Sequence, residues 1–203
     1  MKPLSHEMEA IQVSLGAVYK YEYRLIEQHC HELNIVGAFY HYFRNMFEER
    51  FSTYCIDMEY SRMGMRKVPK EIHGLLGGEH CPFCNEKHRR RVRSDFIIHK
   101  PGTDENLLVI EFKGEWSSGC QSWDEKKLCE LTKPLSSRPE GESYVCGYVL
   151  GVSIILKANG VCFKRFANGD RDGDLIEFSK DNLIRKYESF NRELVNKMKG
   201  HSV

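Results

Sequence analysis

The chain lacks any apolar run approaching the roughly 18 residues that span a bilayer. Its opening residues, Met-Lys-Pro-Leu-Ser-His-Glu, also lack the apolar stretch of a signal peptide. Membrane insertion and export are therefore not expected, and the expected location is the cytoplasm. A charge excess is missing too. Thirty Lys plus Arg face 29 Asp plus Glu, a net charge of +1, so any polyanion must be held by a local patch. Eight cysteines in 203 residues are too sparse for a disulfide scaffold, and in a reducing compartment they stay thiols unless their spacing indicates metal. No internal repeat, low-complexity tract or Pro/Ser linker divides the chain, so residues 1–203 are expected to form one domain. There is no Gly-rich phosphate loop and no Gly-x-Ser-x-Gly elbow, which removes the chemistries those motifs carry. What is present, 41% hydrophobic and 29% charged residues, describes a globular domain with a proper core.

Apolar residues recur at three- and four-residue steps from about Tyr19 to Phe51, predicting helix with a break at Gly37. Thr53 to Tyr60 reads as a strand. Residues 71–91, with Gly74, Gly77, Gly78 and Pro82, read as an irregular insert. Two strands follow, Val92 to His99 and Leu107 to Lys113, joined by a hairpin loop. A short helix spans Asp124 to Lys133, strands span Tyr144 to Lys157 and Val161 to Phe166, and a last helix runs from a Ser179 cap to about Lys199. This order predicts an α/β domain built on a mixed β-sheet flanked by helices.

The hairpin carries the chemistry. Side chains alternate along a strand, so Glu111 and Lys113 point one way while Leu108, Ile110 and Phe112 point the other. A turn symmetric about Thr103 sets Asp95 opposite Glu111. Two close carboxylates raise each other's pKa unless a cation sits between them. Magnesium suits such a site, because it takes a few carboxylates, keeps waters and shares positions with phosphate. Lys113 beside it is placed to steady an attacking water or the charge that develops on phosphorus.

Asp95 followed by Glu111-Phe112-Lys113 resembles the signature of the PD-(D/E)XK, or restriction-endonuclease-like, nuclease superfamily. Further matches are to small bacterial and phage members: Glu59-Tyr60-Ser61-Arg62, Asp95 to His99, and a helix with Asp124, Lys127, Leu128, Leu131 and Thr132. The resemblance covers roughly residues 25 to 160. The Pro customary before the first Asp is Ser94 here. The resemblance implies a restriction-endonuclease-like core and metal-dependent hydrolysis of phosphodiester bonds. Asp95, Glu111 and the main-chain carbonyl of Phe112 would hold Mg2+ or Mn2+, and Lys113 would activate water. A carboxylate from the first helix would join them, Glu32 ahead of Glu27, and Glu59 would line or buttress the site. Nucleic acid is the implied partner, DNA ahead of RNA, in phage or mobile-element conflict or in defence. A non-catalytic binding or interaction module on the same scaffold is the alternative, and homodimerisation stays open.

Cys81-Pro-Phe-Cys84 with His88 has the spacing of a small structural zinc knuckle, His80 or His73 supplying the fourth ligand. A redox pair is the competing reading, weakened because the pair does not open a helix. Directly after it, Lys87, Arg89, Arg90, Arg91 and Arg93 put five positive charges in seven residues beside the strand of Asp95, suited to backbone phosphates. Asn168-Gly-Asp-Arg-Asp-Gly173 imitates a calcium loop, but its twelfth position is Ser179, so an acidic hairpin turn is expected. Trp116 and Trp123 flank Gly119; they would anchor a loop or pack on a base.

Overall fold

The computed structural model describes residues 6–60, 62–63, 68–69, 93–137 and 146–200. Three helices come first, α1 (His6–Tyr21), α2 (Tyr23–Glu27) and α3 (Glu32–Phe47). Strand β1 (Cys55–Tyr60) and a two-residue ribbon, β2 (Arg62–Met63) with β3 (Val68–Pro69), follow. Then come β4 (Ser94–His99), β5 (Asn106–Gly114), α4 (Gln121–Leu131), β6 (Leu150–Lys157), β7 (Gly160–Ala167), β8 (Asp170–Arg171), β9 (Ile176–Ser179) and α5 (Lys180–Gly200). The main sheet has seven strands in the order β1-β4-β5-β6-β7-β8, with β9 also on β7. Only β5 and β6 run parallel. Helix α4 makes that crossover, as parallel neighbours require.

One sheet face packs the larger core. Phe96, Ile98, Leu108, Ile110 and Phe112 meet Phe39, Phe43 and Phe47 of α3, with α1 and Leu183 of α5 completing the layer. The other face packs Ile97, Val109, Tyr148 and Phe166 under Leu128 and Leu131 of α4. The expected mixed sheet flanked by helices is the observed architecture.

Two sequence expectations need correction. Gly37 lies inside α3, and the chain breaks instead at residues 28–31, where His29 adopts φ +52°. His31 Nδ1 accepts the Leu33 N–H at 3.2 Å and caps α3, a polar role that periodicity does not reveal. Strand β6 starts at Leu150, because Tyr148 instead donates its N–H to the Leu131 carbonyl, outside the ladder. The Asn168 loop is the expected turn. Ala167 pairs with Asp170, and Asn168 and Gly169 take φ +54° and +84°, a two-residue hairpin of the mirror-image type. Ser179 Oγ accepts the Asn182 N–H at 3.3 Å, the expected cap of α5.

Candidate active site

Strand alternation aims the acids. Phe96 and Phe112 pack on α3, their rings 5.1 and 5.0 Å from that of Phe39. Their chain neighbours Asp95 and Glu111 therefore face α4. The ladder pairs Phe96 with Ile110, Ile97 with Val109 and Ile98 with Leu108. One step further, the same register sets Asp95 across from Glu111, as the turn about Thr103 predicts. A bulge between Ile98 and His99 absorbs the irregular end of the loop. Asp95 Oδ2 accepts the Phe112 N–H at 2.8 Å, tying the two strands at the acids themselves.

Lys113, two residues beyond Glu111, lies with its Nζ 3.6 Å from Glu32 Oε2 and 3.9 Å from Asp124 Oδ2. Glu32 opens α3, and its Oε1 accepts the Gly114 N–H at 3.0 Å. The corner at His29 thus delivers Glu32 to the end of β5, while Glu27 stays exposed on α2. Glu59 has φ +56° and interrupts the β1 ladder between the pairs Met58–Phe96 and Tyr60–Ser94. Its Oε2 pairs with Arg93 at 2.8 Å, and its charge adds to the upward push on the Asp95 carboxyl. His99, on the Asp95 face, is buried and bonded through Nε2 to Asp57 Oδ2 at 2.9 Å.

Helix α4 supplies two groups that were legible only as part of a helical motif, Asp124 and Lys127. Three residues apart, they share one helix face. Lys127 Nζ stands 2.5 Å from Glu111 Oε2 and 3.5 Å from Asp124 Oδ1. Lys127 is 7% exposed and Glu111 3%, so the pair is nearly closed to solvent. The usable signal is spacing: Asp124 and Lys127 fall in phase with Leu128 and Leu131, which face the sheet.

Burial governs the electrostatics. It pushes the Asp95 carboxyl up to about 6, against the pull of the Lys127 ammonium and the Phe112 N–H. It holds Glu111 well above the usual carboxylate range, with Asp95 and Asp124 adding to the effect and Lys127 opposing it. Burial also disfavours charge on Lys127, but Glu111, Asp124 and Asp95 outweigh it and hold the ammonium above its ordinary value. Acids poised this way take up a proton or a cation.

The acids fit a hard divalent cation in one respect: Glu111 Oε1 is buried and, among the described residues, has no hydrogen-bond partner. An orphaned carboxylate oxygen beside a second carboxylate is a donor set such an ion accepts. Among the described residues no group of three or more His, Cys, Asp or Glu side chains is arranged to hold a metal. Two carboxylates and a main-chain carbonyl would form a smaller set. The expected zinc ligands His80, Cys81, Cys84 and His88, with His73, lie outside the described residues, as do Lys87, Arg89, Arg90 and Arg91 of the basic run. Arg93 alone of that run is described, and it is exposed apart from its pair with Glu59.

Compared with protein-family models, with curated proteins and with solved structures, the chain matches none. Among the described residues no helix is long and apolar enough to cross a membrane.

Proposed function

We propose that this chain is a divalent-metal-dependent nuclease with a restriction-endonuclease-like core, hydrolysing phosphodiester bonds in nucleic acid, DNA ahead of RNA. One observation carries the reading. The Glu111 carboxylate is held across the hairpin from Asp95, buried, with Oε1 unpartnered among the described residues, on the strand face that also bears Lys113. Asp95, Glu111 and the Phe112 carbonyl would hold Mg2+ or Mn2+. When bound, the ion supplies Lewis-acid charge at the scissile phosphate. The chain's own groups do the rest. Lys113 is positioned by Glu32 and Asp124 to orient water and to offset negative charge on the phosphate. Lys127 is held in the same cluster and adds a second positive charge. Arg93, with Lys87 and Arg89 to Arg91, would grip backbone phosphates beside the cut. Cys81, Cys84, His88 and His80 would hold a structural zinc. Small enzymes with this chemistry suit phage or mobile-element conflict or defence, a role argued from resemblance.

A second reading has a specific observation in its favour. Lys127 already neutralises Glu111 at 2.5 Å, as it would in a scaffold that binds nucleic acid or protein without turnover. Cleavage assays separate the two. Plasmid, linear duplex, single strands and RNA are each incubated with Mg2+, Mn2+ or EDTA. The nuclease cuts only with metal, and Asp95→Ala and Lys113→Ala each lower the rate by a factor on the order of 100 or more. Binding that survives without any cutting establishes the module instead.

A further inference from the structure

We propose that His29 and Trp116 form a stacking platform for an unpaired nucleobase beside the acids, so that the ligand is single-stranded or locally opened nucleic acid. The choice of nucleic acid as the ligand rests on the proposed function; the binding itself does not require turnover. The two rings lie nearly parallel, 15° apart, with centroids at 4.8 Å. Trp116 is half-buried and packed on the larger core, whereas His29 is exposed.

Both rings are held in place. A Cβ at Gly114 would lie 2.4 Å from the Trp116 ring, so the indole sits flat on that glycine. His29 sits at the α2–α3 corner with φ +52°, its N–H bonded to the Ile26 carbonyl at 3.1 Å.

The location ties the pair to the chemistry. Trp116 follows Lys113 by three residues and His29 precedes Glu32 by three. The Glu32 carboxylate bonds the N–H of Gly114, the residue that seats the indole. The stack therefore stands where the segments bearing Glu32 and Lys113 join.

Anchoring the loop accounts for Trp116, whose ring is already packed. It does not account for an exposed imidazole laid parallel to that ring, which buries little surface of its own. A planar group backed by a second planar group extends naturally by a third. Every base offers a π-face, but in a duplex that face is already covered by its neighbours. An unpaired base is therefore the occupant. Stacking tolerates any base, so the platform selects strand state and leaves sequence unread.

The test measures binding in EDTA, where turnover is stopped. Fluorescence anisotropy follows labelled single-stranded DNA, RNA of the same sequence and the matching duplex. Single strands are expected to bind more tightly than duplex. His29→Ala weakens single-strand binding about tenfold and leaves duplex binding unchanged, and His29→Phe restores it. Thermal midpoints of both variants report whether the fold is kept. Unchanged single-strand affinity in a folded His29→Ala protein overturns the platform, as does an equal loss on duplex. If single-strand binding needs His29 but no substrate is cut with Mg2+ or Mn2+, the platform stands and the nuclease reading falls. If duplex is cut with dependence on Asp95 and indifference to His29, the nuclease reading stands and the platform falls.

Discussion

Lys127 and Glu111 illustrate how much can turn on one buried pair. Removing the ammonium alone leaves the Glu111 carboxyl buried next to Asp95 and Asp124 without the partner at 2.5 Å. Lys127→Met is expected to lower stability by roughly 3–5 kcal/mol, and adding Glu111→Gln should recover most of it, read from denaturant midpoints of the double-mutant cycle. A deficit that the second substitution leaves untouched would mean that Lys127 acts through packing. Asp95 predicts a pH dependence of opposite sense to an ordinary salt-bridged carboxylate. Its folded value of about 6 lies above the 3.8 of an unperturbed aspartate, so protonation favours the fold. The stability it contributes is complete below about pH 4 and is lost as pH rises through 6. In EDTA, wild type minus Asp95→Asn should change by roughly 2–3 kcal/mol across that window. A flat difference would place the Asp95 carboxyl in an ordinary aqueous environment.

At the scale of elements, the hairpin was legible and α1 was not. The apolar runs Phe96 to Ile98 and Leu107 to Ile110 on either side of a Pro-Gly loop mark the hairpin, and a turn centred on Thr103 carries the register of the acids with it. Helix α1 hides because nearly all of it is buried: Met8 and every residue from Ala10 to Tyr19 lie in the interior, so no solvent-facing stripe marks a helical period. Glu32 could be named from resemblance, but only the turn at His29 decides that it, and not Glu27, reaches β5. Lys127 was less legible: its spacing puts it in phase with Leu128 and Leu131, but only their packing against Val109 and Phe166 shows that this face meets the acids. One close helix crossing is also invisible in sequence. A Cβ at Gly16 would stand 2.2 Å from the Leu183 carbonyl oxygen and 2.8 Å from Tyr187 Cβ, so the backbones of α1 and α5 approach closely there. Gly16→Ala must push α5 outward, and a loss of about 1–3 kcal/mol is expected by thermal or chemical denaturation. A neutral substitution would mean that the two helices can slide apart at no cost.

For the molecule as a whole, the cation proposed for Asp95 and Glu111 would bind the folded chain alone and so would stabilise it. At a free Mg2+ or Mn2+ concentration of 100 times Kd the gain is about 2.7 kcal/mol. Thermal unfolding should shift upward by roughly 5–10 °C, and Asp95→Ala should remove the shift. An equal shift in that variant would place the ion elsewhere. The layer above the sheet has a different consequence. Gln12 of α1 accepts from Lys186 of α5, 174 positions further along the chain, and the Tyr19 hydroxyl reaches the carbonyls of Lys157 at 2.8 Å and Gly160 at 2.5 Å. On the ribosome, α1 emerges long before the segments that cover it. The face of α1 that packs on α5 stays uncovered until α5 has been made, which gives a chaperone an apolar surface to hold in the interval.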